Sequence, residues 1–226
     1  MERNVFLCVP TAGKSHVREQ FSKWCGQGYR IAALTNGTTI SPDFDHLLTL
    51  HMHTEWYPGV WKSWNLLARA AFGMGADVVV LAGDDMDPDP RKTAREIADE
   101  YFARFRLGEG VMQPCGDPQG DLIDGQRNAG RICGSPWIGP KWIELSYGYG
   151  AVCEDYYAFY ADEELKILSE KMGLLWLRQD LMQYHRHWSW GHLPKQDYHE
   201  RNQLQWNADQ RMFLHRKGLG FPPRVK

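Results

Sequence analysis

Apolar residues recur along the first hundred positions in two rhythms. Residues 4–10 (NVFLCVP), 29–34 (YRIAAL), 47–53 and 78–82 are short runs suited to buried strands. Between them the spacing is helical. Val17, Phe21 and Trp24 fall on one stripe within 15–25, and 60–72 is a helix closed by Gly73 and Gly75. Residues 90–105 are amphipathic, with Pro90 near the first turn. Strands alternating with helices predict an α/β fold with a mostly parallel sheet flanked by helices on both faces. Beyond Gly108 the rhythm breaks. Residues 117–131 read as a Gly- and Asp-rich loop, 140–145 as a short helix, and 161–172 as a helix ended by Gly173. Residues 174–188 hold one or two strands, and 196–217 form a terminal helix. With no repeat or linker, the reading is one domain: a first half over 1–107, a second over 108–190, and a C-terminal helical extension over 191–226.

Composition narrows this only a little. The 226 residues are 43% hydrophobic and 24% charged, the balance of a folded protein with a substantial core. No apolar run reaches membrane-spanning length, and the first residues lack a signal-peptide pattern, so a cytoplasmic setting is expected. Five cysteines without a CxxC pair argue against a disulfide framework or a zinc knuckle. The charge is uneven. The net is −2, yet the chain from Leu181 onward holds eight Lys or Arg against three Asp or Glu, and five of the nine histidines. That asymmetry fits a basic surface for an anionic partner, or simply a solvated helical face.

The chemistry concentrates in VVVLAGDDMDPDP, residues 78–90, where a buried strand runs into Asp84, Asp85, Asp87 and Asp89. Ligands of an open parallel sheet bind outside the carboxyl ends of its strands. Clustered carboxylates repel one another unless a positive partner sits among them. If the segment stays extended, Asp85 and Asp87 point to one side and can share a hard cation, Mg²⁺ or Mn²⁺. The plainer alternative is a loop of capping aspartates; Asp89, placed before Pro90, takes the N-cap role in either case. Two other motifs fail on physical grounds. TAGKS at 11–15 lacks the leading glycine of a phosphate loop, which would fall at Cys8, and Pro10 removes an amide. Gly148-Tyr-Gly150 begins a dinucleotide fingerprint whose last glycine is replaced by Cys153.

Taken in order, a strand ending Val-Pro-Thr, Asn36 after the second strand, Asn65 in a helix before the fourth, and Asp85-Met86-Asp87 resemble the GT-A glycosyltransferases, a Rossmann-related fold, and among them the large inverting family. ADEELKILSEKMG (161–173) resembles that family's Asp-x-x-Leu segment. MQYHRHW (182–188) resembles the later strand that brings histidine to the metal. The resemblance implies roles. Pro10 and Thr11 would border the base and ribose of a nucleotide-diphosphate sugar, with a UDP-sugar favoured. Asn36 would contact the base, although an Asn-Gly turn explains it equally. Lys62 and Asn65 would face the nucleotide, and Asp84 would touch the ribose. Asp85 and Asp87 would hold Mn²⁺ or Mg²⁺, completed by His185 or His187. Gly134, Ser135 and Trp137 would border the donor sugar. Asp162 would be the general base, with Asp155 the runner-up.

For the acceptor, the chain looks like compact phage-encoded transferases that glycosylate hydroxymethylated pyrimidines in DNA, met here through Lys195, Arg201, Arg211, Arg216, Lys217, Arg224 and Lys226. Aromatics such as Tyr156, Tyr157, Phe159, Tyr160, Trp188 and Trp190 could receive an extruded base. Surface polysaccharide synthesis is the next acceptor class. The rivals from other classes are a metal-dependent nucleotidyl- or phosphotransferase and a non-catalytic nucleic-acid-binding protein.

Overall fold

The order of elements follows the alternation of the sequence. In a computed structural model that describes residues 3–13, 16–36, 45–116, 132–186 and 197–221, the first half runs β1 (Val5–Pro10), α1 (His16–Gly26), β2 (Arg30–Asn36), β3 (Leu48–Thr54), α2 (Val60–Gly73), β4 (Val78–Leu81), β5 (Met86–Asp87) and α3 (Ala94–Arg104). The second half runs β6 (Val111–Cys115), β7 (Trp137–Ile138), α4 (Pro140–Leu145), α5 (Ala161–Lys171), β8 (Leu175–Met182), β9 (Tyr184–His185) and α6 (Asp197–Gly218).

Seven strands form one sheet in the order β3-β2-β1-β4-β7-β6-β8, while β5 and β9 form a separate two-stranded ribbon. All pairings in the large sheet are parallel except those of β7, which runs antiparallel to both β4 and β6. The sheet is therefore mostly parallel, as the alternation predicted. Side chains of β1 split by parity: Phe6 and Cys8 join the core under α2 and α5, whereas Val5, Leu7 and Val9 join the core under α1 and α3.

Three details differ from the sequence reading. The helix expected from residue 90 begins at Ala94, because Thr93 and Glu96 form a reciprocal capping box. Asp89 is consequently not its N-cap. Its buried carboxylate accepts from Met182 N at 2.9 Å and from Arg91 Nε at 2.9 Å, joining the end of β8 to the 88–91 turn. Burial works against its ionisation, but these bonds outweigh it and hold its pKa at about 2. Second, β6 was not anticipated; its VMQPC run carries a proline at a register shift against β8. Third, β7 is only two residues long, too short for any periodicity. The loop expected over 117–131 lies outside the described residues.

The terminal helix α6 was expected as a basic extension, and part of it turns inward. Arg216 Nε and Nη2 donate to Glu164 at 2.9 and 2.8 Å, and Tyr156 Oη donates to the same carboxylate at 2.6 Å. Asp209 accepts from the amides of Tyr157, Ala158 and Phe159, each at 2.9 Å. Tyr160, which precedes α5 in a left-handed conformation (φ 72), stacks on Phe213 of α6 with ring centroids 5.1 Å apart. The same loop presses on α2: Gly59, at φ 97, is the one residue type that allows Tyr157 O to reach Val60 N at 3.0 Å.

Glu164 is fully buried, so removing its partner strands a charge. Arg216→Met should lower stability by about 3–5 kcal/mol, and Arg216→Met with Glu164→Gln should recover much of it; urea unfolding curves check both.

Candidate active site

The parallel register of β1 and β4 creates the site. Cys8 lies opposite Leu81, so Thr11 and Asp84, each three residues further on, emerge side by side at the carboxyl edge. Thr11 Oγ1 donates to Asp84 Oδ2 at 2.6 Å, and Thr11 N is held by Leu34 O at 2.9 Å, drawing in β2. The Asp84 carboxyl is buried. Burial and the neighbouring Asp85 charge push its pKa up to about 6, against the weaker pull of the Thr11 hydroxyl, His16 and the Ala12 amide.

Asp84 and Asp85 form a turn rather than strand. The Asp85 carboxylate folds back over Gly83, where a Cβ would meet its Oδ1 at 2.5 Å. His185 Nε2 lies 3.1 Å from Asp85 Oδ2, and Arg186 N donates to Asp85 O at 2.8 Å, extending the β5–β9 ladder. Within that ribbon Met86 pairs with His185 and Asp87 with Tyr184. Directly opposed residues project to the same side, and neighbours alternate. Asp87 Oδ1 accepts from Lys23 Nζ at 3.1 Å and its Oδ2 from Arg186 Nε at 2.7 Å. It lines a groove of about 630 Å³ with Lys23, Gln27, Pro88, Met182 and Tyr184. The expectation of a shared side for Asp85 and Asp87 assumed an extended chain, which the turn at 84–85 interrupts.

Among the described residues no group of three or more His, Cys, Asp and Glu side chains stands ready to hold a metal. The donor chemistry that does converge is one carboxylate and one imidazole, Asp85 and His185, next to a second carboxyl whose ionisation its neighbour opposes. The carboxylate oxygens would suit Mg²⁺ or Mn²⁺, and the added imidazole favours a transition metal such as Mn²⁺ over Mg²⁺. His187 lies outside the described residues.

The remaining expected residues disperse around this corner. Pro10 ends β1 opposite Leu34, and Asn36 ends β2 opposite Thr54. Lys62 faces a groove of about 450 Å³ with Thr54, Trp56, Arg69 and Glu154. Asn65, on the adjoining face of α2, is fully buried instead. Its amide donates to Val152 O at 2.9 Å and accepts from Val152 N at 3.1 Å, with Gly150 packed against it. Ser135 and Trp137 are likewise buried, in a polar network. Trp137 Nε1 donates to Gln183 Oε1 at 2.5 Å, Gln183 Nε2 to Ser135 O at 3.0 Å, and Ser135 N to Gln113 Oε1 at 3.1 Å. Gly134 sits in the bend before them, partly exposed. Asp155 lies 3.4 Å from Arg216 Nη1. Asp162 opens α5, with Oδ1 accepting from Glu163 N at 3.0 Å and its carbonyl from Cys133 N at 3.2 Å.

Sequence reasoning missed Lys23, Arg186 and Tyr57. Burial, then Tyr157 and Asp84, raise the Tyr57 hydroxyl pKa, which places this ring within electrostatic reach of the cleft. Only its place in the turn after β3 hinted at that position.

No protein-family model matches the chain, and no curated protein does. Among the solved structures that share part of its outline are two transferases. One is a glycosyltransferase involved in the glycosylation of the major capsid of PBCV-1, with 11% identity, a TM-score of 0.36 and 63% of each chain covered. The chain thus spans 63% of that glycosyltransferase's length. The other is the inositol-1-phosphate CTP transferase from T. maritima, with 10% identity, a TM-score of 0.41, and 81% of this chain and 89% of that one covered. Neither overlap is close enough to carry an activity.

Asp84 offers a check by titration. A carboxyl raised from its ordinary value to about 6 favours the fold fully at low pH and loses that contribution as pH climbs through 6. The metal-free protein should therefore lose on the order of 2 kcal/mol between about pH 4 and 7 from this group. Asp84→Asn should flatten that slope in urea unfolding measured across the range.

Proposed function

We propose that the chain is a GT-A-type glycosyltransferase. It moves a sugar from a nucleotide-diphosphate sugar, a UDP-sugar in the first instance, to an acceptor hydroxyl with inversion. One observation carries the reading: His185, one of the two histidines that the family resemblance offered to the metal, lies 3.1 Å from Asp85 although 100 residues separate them. The mostly parallel sheet, with both acids at the carboxyl end of β4, supports it.

In this reading Asp85 and His185 would hold the cation, which neutralises charge on the departing diphosphate. Asp84, already hydrogen-bonded to Thr11, accepts from the ribose hydroxyls. Lys62, facing its groove beside the carboxyl edge, meets phosphate oxygens. Asp162 takes the proton of the attacking hydroxyl. Asp155, 3.4 Å from Arg216 Nη1, is the alternative base. For the acceptor we keep hydroxymethylated pyrimidine in DNA, supported by exposed Arg201, Arg211 and Lys217 on α6. Arg216 is excluded from that role by its burial against Glu164.

Incubation with UDP-glucose, CTP or ATP in the presence of Mn²⁺ tests the donor. UDP release and a raised melting temperature with the UDP-sugar are expected. Pyrophosphate released from CTP or ATP instead means nucleotidyl transfer and overturns the proposal. Asp85→Asn should cost about 100-fold in turnover. For the acceptor, affinity for hydroxymethylated DNA should fall steeply between about 50 and 200 mM salt; a flat response rules out the contact through α6.

A further inference from the structure

The second acid of Asp85-Met86-Asp87 is held between two cations. In the β5–β9 ribbon it pairs with Tyr184, while Met86 pairs with His185. Its two oxygens are each taken by a cation: Oδ1 by Lys23 from α1 at 3.1 Å, and Oδ2 by Arg186 from the end of β9 at 2.7 Å. Its side chain is 15% exposed, so solvent screens these pairs less than it would on an open surface. Lys23 also reaches Glu19, one turn back on α1, at 2.7 Å. A second bond ties the same pieces together, since Trp24 Nε1 donates to Met86 O at 2.7 Å.

We propose that Asp87 is a positioning residue. It is an ionic latch joining α1 and β9 to β5, so that His185 is carried to Asp85, and the cation is held without it. The inference rests on the transferase reading for the identity of that cation, but the latch itself stands on the ion pairs alone. Without Asp87, Lys23 would keep only Glu19, and the link between Lys23 and Arg186 would be lost. To bind the cation beside Asp85, Asp87 would have to give up both partners. This assigns different roles to two acids that the motif treats as equivalent: Asp85 as ligand, Asp87 as support.

The test measures Mn²⁺ binding by water-proton relaxation, histidine-nitrogen coupling to bound Mn²⁺ by pulsed electron paramagnetic resonance, and the melting temperature without metal. The proteins compared are the full chain and its Asp85→Asn, Asp87→Asn and Lys23→Met variants. Asp85→Asn should weaken Mn²⁺ by more than about 100-fold, with the melting temperature held or raised. Asp87→Asn should weaken it by no more than about ten-fold, keep the nitrogen coupling, and lower the melting temperature by about 3–8 °C. Lys23→Met keeps the question open to test should Asp87→Asn fail to fold. If Asp87 were a ligand, removing the competing ammonium would tighten Mn²⁺; a latch predicts unchanged or weaker binding. Loss of Mn²⁺ in Asp87→Asn as complete as in Asp85→Asn, tighter binding in Lys23→Met, or an unmoved melting temperature in Asp87→Asn overturns the proposal. If the unsubstituted chain binds no Mn²⁺ with or without UDP, the transferase reading fails instead, and the metal-free melting temperatures still decide the latch.

Discussion

Holding the Asp84 carboxyl out of water beside the Asp85 charge is unfavourable, and the carboxyl edge of the sheet is organised around that cost. The Thr11 hydroxyl takes one oxygen of Asp84, and Thr11 is itself pinned by the carbonyl of Leu34. Three parallel strands thus converge on one carboxylate. Asp85 turns away over Gly83 toward His185. Each arrangement lowers the repulsion between neighbouring acids without abolishing it, and the remaining imbalance is what a cation or a ribose hydroxyl would answer. Asp87 and Asp89 escape the problem differently. Lys23 and Arg186 neutralise the first, and Arg91 with the Met182 amide satisfies the second. Four acids in six residues therefore serve at least three purposes.

Segment 155–160 is organised by α6. It has little regular structure of its own, and its amides would be poorly satisfied without the Asp209 carboxylate. Arg216 and Glu164 tie that segment's aromatic Tyr156 to α5. The charge asymmetry of the C-terminal part is thus divided between inward and outward faces. Arg216 belongs to the interior, while Arg201, Arg211 and Lys217 face solvent.

Much of the first half was legible because its strands and helices are long enough for periodicity to show. Residues 4–10, 60–72 and 78–82 match their elements to within a residue or two. The rest was not, for identifiable reasons. A strand containing Pro114 at a register shift, and another of two residues, carry no period. Pro90 imitated a helix start that the Thr93–Glu96 box supplies four residues later. At the site, the nearness of Asp85 and His185 could be anticipated only through family resemblance, since nothing local links positions 100 apart. The side taken by Asp87 depends on whether the chain before it is strand or turn, and composition is silent on that. Asn65 looked like a ligand-facing amide because an isolated polar residue on an apolar helix has two explanations. The close approach of Gly150 and the Val152 backbone decides for the structural one.

The position of α6 in the chain has a temporal side. It comes after every segment it supports, and Glu164 has no guanidinium beside it until Arg216 has been translated and has left the ribosome. The parallel strands through β4 are all encoded early, whereas segment 155–160 waits for α6 to satisfy its amides. The edge that gathers Asp84 and Thr11 is thus encoded well before the helix that holds residues 155–160.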